Sequence, residues 1–343
     1  MILLLTLSTL ATEFHNVGKT PYDLIEYKDQ IISVNSGYQS EPSLSLIKKG
    51  QSVITRNLPK GTNPYRGAFD GKNLWVSFNL TDELVKVSPE PFFKGTTDID
   101  RVYQPDLSTT GAESIAIAND RIWLSYVNLS QSFEFGRAQI LVFNKGGEFK
   151  QKLTLIQKNA KTLERLSDDR LAILTGVYGH DDGALLIVDT PKVPNTADLD
   201  LEKQDSSSFM KTILLGGTPS AISEYNHSLV GCDLSVEGKG RLFHVTDTEV
   251  VSKPIEVSRC SAILATEKGI LLTRLMPERS GLSDDLLVYG WDLEKKCSIK
   301  FSQSSYPFDL LIKGNSLFVA LSGIGQVAEI EMKDGLPKGC LAN

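Results

Sequence analysis

Apolar residues in this chain fall in short runs separated by polar turns, with no long stretch at helical spacing. The stretch "GTNPYRGAFDGKNLWVSF" (61–78) shows the plan: a half-apolar run, a tight turn, then an apolar run. Turns such as "KD", "GK", "ND" and "GN", between runs rich in Val, Ile, Leu, Phe and Trp, predict β-hairpins. Seven such hairpins recur. Their first runs are "PYDLIEY" (21), "PYRGAFD" (64), "GAESIAI" (111), "NAKTLER" (159), "PSAISEY" (219), "RCSAILA" (259) and "PFDLLIK" (307). Their second runs are "QIISVN", "NLWVSF", "RIWLSYV", "RLAILTG", "SLVGCD", "GILLTRL" and "SLFVAL", and a third apolar run follows each.

The starts recur every 40 to 48 residues, apart from one interval of 60 between 159 and 219. Short strands at a fixed period of this size mark a β-propeller. A fourth run precedes each opener, and "TEFHNVGK" stands in that place before the first. The predicted fold is therefore all-β: a seven-bladed β-propeller of four-stranded antiparallel blades. Residues 12–17 would form the outer strand of the last blade, closing the ring and removing its unpaired edges. The propeller spans 12–332, and residues 333–343 form a tail. The long interval places an insertion, 190–209, in blade four; it is polar and carries Pro, so it reads as a surface loop.

Composition narrows the function. A formal net charge of −6, with Lys and Arg dispersed, argues against a nucleic-acid surface. No window is long and apolar enough to span a membrane. The start, "MILLLTLSTLA" (1–11), reads as a short secretory signal with a small-residue cleavage site, although no Lys or Arg precedes the apolar run. A buried first strand is the other reading. Four cysteines, Cys232, Cys260, Cys297 and Cys340, have no zinc-like spacing and allow three disulfide connectivities. Cys232 with Cys260 is the favoured pair, since both fall at one boundary between repeats; buried free thiols are the alternative.

The order of turn, "LWV" or "LFV" strand, short loop and apolar third strand resembles the YVTN-type repeat propellers of secreted and surface-exposed microbial proteins. The tetrapeptide itself is absent, with "ISVN", "WVSF" and "FVAL" in its place. The resemblance implies export and partner binding. It leaves chemistry open, because some relatives are lactonases or lyases.

Candidate chemistry lies where innermost strands line the central channel. Aligning the third residue of each opener gives a ring of Asp23, Arg66, Glu113, Lys161, Ala221, Ser261 and Asp309. Alternating charges on adjacent blades would pair and staple the ring. Asp309 and Asp23, like-charged neighbours across the closure, would either raise one pKa or hold Ca²⁺ or another divalent cation. Tyr22, Tyr65 and Phe308 precede three of these charges and would serve as wedges between blades or as a stacking rim for a ligand. His227, in an inner turn, and Glu113 are the candidates for a general base. "YGHDDG" (178–183), "ERSGLSDDL" (278–286) and "LSQSFEFGRA" (129–138) are longer loops expected on one face.

The function these features favour is a monomeric, periplasmic or secreted, non-enzymatic propeller that presents a loop-rich face to a protein, glycan or small ligand. The alternative is a lactonase- or lyase-like propeller enzyme with an acidic, metal-binding funnel.

Overall fold

The structure is a computed structural model. It describes residues 12–39, 41–60, 62–79, 81, 83–96, 99–103, 111–130, 132, 134–234, 239–246, 249–257, 259–274, 285–302 and 304–340. The predicted signal at 1–11, most of the blade-six loop at 278–286 and the last three residues lie outside them.

Seven small antiparallel sheets stand in a ring, each a blade of a seven-bladed propeller. In blade one the chain runs outward through Pro21–Tyr27, Gln30–Asn35, Ser43–Ile47 and Ile54–Asn57. The innermost strands of the next six blades are Pro64–Phe69, Ala112–Ala118, Ala160–Arg165, Pro219–Tyr225, Ile263–Thr266 and Pro307–Lys313. Thr12–Asn16 pairs antiparallel with Gln326–Lys333, the third strand of blade seven, in the register Thr12↔Ile330 to Asn16↔Gln326. The ends of the ring are thus latched as the repeat predicts.

Local chemistry sets the hairpins. In blade two the Asp70 carboxylate accepts the N–H groups of Lys72 (2.8 Å) and Asn73 (2.6 Å) and the Trp75 indole N–H (2.8 Å). One side chain thereby fixes the turn and anchors the fully buried indole of the second strand. The second strands are the most buried, because each is covered by both neighbouring blades. Core clusters therefore bridge adjacent blades: Ile25, Val34 and Leu44 of blade one meet Leu74, Val76 and Val85 of blade two.

The insertion differs from the expected solvated loop. Its segment Asp198–Asp200 pairs in parallel with Phe149–Lys158, the outer strand of blade three, and makes that blade five-stranded. Val193, Leu199, Leu201 and Phe209 are buried in the core beneath it. Arg137 forms ion pairs with Asp200 and Glu202 across the contact. The apolar residues scattered among its charges have the alternation of a short covering strand, which the polar average of the segment hides.

Both disulfides join elements distant in sequence. Cys232–Cys260 links blades five and six, the favoured pair. Cys297–Cys340 ties the outer strand of blade six to the tail, so residues 336–340 are fastened to the disc. Two disulfides are what a protein of the extracellular or periplasmic space carries. Among the described residues no helix is long and apolar enough to cross a membrane.

Candidate binding site at the channel mouth

In six of the seven blades the entry of the innermost strand follows one rule. The first residue after the second strand donates its N–H to the carbonyl just before the opener. Ser36 bonds Thr20 (3.0 Å), Asn79 bonds Asn63 (2.9 Å), Val127 bonds Gly111 (2.9 Å), Leu234 bonds Thr218 (2.8 Å) and Ser322 bonds Tyr306 (3.0 Å). The residue after this carbonyl is Pro in blades one, two, five and seven, but Ala112 and Ala160 in blades three and four. A β-bulge follows, and only then does regular pairing resume, at Asp23, Arg66, Ser114, Thr162, Ala221 and Asp309.

This corrects the ring read from sequence. Gly111 and Asn159 are left-handed residues that end the preceding loop (φ +121° and +54°), not the first residues of strands. Counting from them put blades three and four one residue out of step. In blade six Ala262 bonds Thr273 and Ser261 precedes it, giving the same offset. The waist ring is therefore Asp23, Arg66, Ser114, Thr162, Ala221, Ala262 and Asp309. Glu113, Lys161 and Ser261 move up to the bulge, level with Tyr22, Tyr65, Ser220 and Phe308, and form the mouth.

The waist is a fastening. The Arg66 guanidinium lies between two carboxylates, 2.9 Å from Asp23 and 3.7 Å from Asp309. Each carboxylate also accepts an N–H from the next blade: Leu24 to Asp309 (2.8 Å) and Gly67 to Asp23 (2.7 Å). The Ser114 hydroxyl accepts Leu163 N–H (3.0 Å) in the same way. Burial, and then the neighbouring Asp23 charge, push the Asp309 carboxyl up to about 8. The cation between Asp23 and Asp309, expected to be Ca²⁺ or a similar ion, is in the structure the side chain of Arg66. A cavity of about 320 Å³ runs from the mouth level of Ser220 and Ser261 through the waist to Glu164, lined by Asp23, Arg66, Ser114, Thr162 and Asp309 among others. Burial and the nearby Glu224 push Glu164 up to about 7.

The mouth has three sectors. Blades seven, one and two contribute Phe308, Tyr22 and Tyr65, with ring centroids 4.4 Å (Tyr22–Phe308), 5.3 Å (Tyr22–Tyr65) and 6.2 Å (Tyr65–Phe308) apart. Phe308 is buried and acts as the wedge, while the two tyrosines are half-buried. Arg66 sits 5.5 Å from the Phe308 ring and 5.6 Å from Tyr65. Blades three and four contribute Glu113 and Lys161, neither directly ion-paired among the described residues; burial raises the pKa of the first and lowers that of the second. Blades five and six contribute Ser220 and Ser261; the Ser261 hydroxyl is buried and has no hydrogen-bond partner among the described residues.

Two mouth residues escaped the sequence reading. Arg259 is exposed, with its guanidinium 4.9 Å from the Phe308 ring. Tyr38, on the loop after the second strand of blade one, is 73% exposed and held at φ +46°, a strained conformation for a bulky residue. Its hydroxyl lies by that of Tyr22, whose pKa burial and Tyr38 together push up to about 12. The signals were "GYQ" in a connecting loop and the first residue of the opener "RCSAILA", neither distinctive alone.

The general-base candidates are not brought together. His227 is 74% exposed in the turn ending the innermost strand of blade five, 3.6 Å from Glu224. Glu113 stands at the opposite end of an innermost strand, at the mouth. A seven-residue strand separates these ends by about 20 Å. None of the four histidines lines the channel: His15 is on the latch strand, His180 in a loop, and His244 in the third strand of blade five.

No known protein family matches the chain, and no curated protein matches it. Solved structures do. A streptogramin B lyase aligns with a TM-score of 0.68 and 14% identity over 93% of this chain and 96% of that one. Virginiamycin B lyase from Staphylococcus aureus, solved also as a catalytically inactive histidine-to-alanine variant with quinupristin, gives 0.68 and 13% over 93% and 98%. The WD40 propeller domain of Doa1 gives 0.64 and 11% over 94% and 96%. At these identities the likeness is one of fold: these neighbours are β-propellers, and no family match confirms the YVTN repeat type.

Proposed function

We propose that the chain is an exported, non-enzymatic binding module, and that its ligand is a glycan or similar polar molecule seated on the channel mouth. The observation that carries this reading is the three-sector mouth. Tyr22, Tyr65 and the exposed Tyr38 offer aromatic faces to the flat apolar side of a sugar ring. Glu113, Lys161 and Arg259 offer charged donors and acceptors that no direct ion pair engages among the described residues. The connections after the second strands open on the same face, so a rigid disc carries an adaptable rim. The two disulfides fit export.

The lyase-like neighbours favour a second reading, an enzyme acting in the channel. It is the weaker one. The catalytically inactive virginiamycin B lyase carries alanine in place of a histidine, whereas none of this chain's histidines lines the channel, and its acidic pair is engaged by Arg66. A glycan array with wild type, Tyr65→Ala and Glu113→Gln tests the first reading. Saccharide binding weakened at least tenfold by both substitutions supports it, and binding indifferent to both sinks it. Incubation with quinupristin, followed by mass spectrometry, tests the second.

A further inference from the structure

The ring-closing seam carries a cluster outside the channel. Glu13 and His15 are two residues apart on the latch strand, so both side chains stand on one face of it. Glu13 is directly opposite Glu329 in the strand register. Like charges facing each other across a β-ladder are destabilising. His15 Nε2 lies 3.1 Å from Glu329 Oε2, and His15 Nδ1 lies 3.9 Å from Glu13 Oε1. The donor atoms of all three lie within 4.8 Å of one another. His15 and Glu329 are buried, while Glu13 is 61% exposed and free to swing.

We propose that Glu13, His15 and Glu329 form a divalent transition-metal site, of the zinc class, that locks the propeller seam. Two carboxylates and one imidazole are a borderline N/O donor set, which suits zinc better than calcium or magnesium. The outer contacts are those of a metal site. The Ser316 hydroxyl donates to Glu329 Oε1 (2.6 Å), leaving Oε2 turned toward His15. An entry path exists too: Glu13, Ser316, Phe318, Glu329 and Glu331 line a groove of about 820 Å³ between blades seven and one. The metal would replace the repulsion between Glu13 and Glu329 with two bonds, and would tie the first described strand to the last blade. The proposal is independent of any ligand at the mouth, since the cluster lies on the outer half of blade seven.

The test uses tag-free full-length protein and Zn²⁺ itself, with calorimetry for stoichiometry, thermal melts for linkage and Co²⁺ absorption for geometry. One equivalent should bind, Tm should rise by about 4 °C at a hundredfold excess over Kd, and Co²⁺ should give visible ligand-field bands. Glu13→Gln, an exposed change that leaves the fold intact, should weaken binding at least tenfold, and His15→Gln should abolish the bands. Absence of stoichiometric binding overturns the proposal. So does binding unchanged in Glu13→Gln and His15→Gln, which would place the ion on carboxylates elsewhere. A seam as stable without Zn²⁺ as with it also overturns it.

Discussion

Replacing Asp309 by Asn should make the protein's stability less sensitive to pH. The substitution keeps the shape and the acceptor for Leu24 N–H, but it removes the group's capacity to ionise. In the folded protein, burial and the Asp23 charge raise the Asp309 pKa from an ordinary carboxylate value to about 8. A group whose folded pKa is raised binds its proton more tightly in the folded state. Its contribution is fully present below the unfolded pKa, near 4, and is lost as pH rises through about 8. Every tenfold difference in proton affinity between the folded and unfolded chain is worth about 1.4 kcal/mol. Arg66, 3.7 Å away, already holds the value down to about 8, and an effect of at least about 2 kcal/mol between pH 5 and pH 9 is expected. Urea unfolding of wild type and Asp309→Asn at both pH values measures it, with equal m-values confirming like transitions. Wild type should lose about 2 kcal/mol more than the variant on going from pH 5 to pH 9. Parallel losses, or a wild type that gains relative to the variant, would show that Arg66 keeps both carboxylates charged throughout and would refute the reasoning.

Other outcomes follow from the same geometry. Glu164→Gln should also flatten the pH profile, with its relative gain growing up to about pH 7 and constant above it, because burial and Glu224 raise that carboxyl; a melt series across pH 5 to 9 checks it. Gly231→Ala should destabilise by about 1–3 kcal/mol in urea titration, since a Cβ there would lie 2.3 Å from the buried Phe243 ring and 2.8 Å from the Ala221 carbonyl oxygen. Removing Cys232–Cys260, which closes 28 residues, or Cys297–Cys340, which closes 43, should each cost about 3–4 kcal/mol. The second removal should also open the tail to protease, visible as early loss of the C-terminal peptide.

The fold was legible because its signals are repeated. A tight turn and an apolar second strand occur seven times, and "TEFHN" is the displaced seventh outer strand of a pattern that needs closing. What failed was register at the strand entries. Pro21, Pro64, Pro219 and Pro307 mark the slot correctly, but Gly111 and Asn159 mimic an opener while serving as left-handed loop residues. A one-residue slip there assigned Glu113 and Lys161 to the waist, when the bulge lifts them to the mouth. The pairing of Asp23 with Arg66 was legible from alternating charge, whereas the reach of Arg66 to Asp309, two blades away, depends on side-chain length and channel width that no pattern encodes. The strand inside the insertion was hidden by its acidic composition, and Tyr38 and Arg259 by ordinary loop surroundings.

The central claim, that the mouth rather than the interior of the channel is the working surface, is tested most directly by a crystal structure with the tightest saccharide from the array. The account predicts a sugar ring stacked on Tyr65 or Tyr22 with hydroxyls reaching Glu113 and Lys161. Density for the saccharide beside Glu164, beneath the Asp23–Arg66–Asp309 fastening, or on the opposite face near His227, would contradict it.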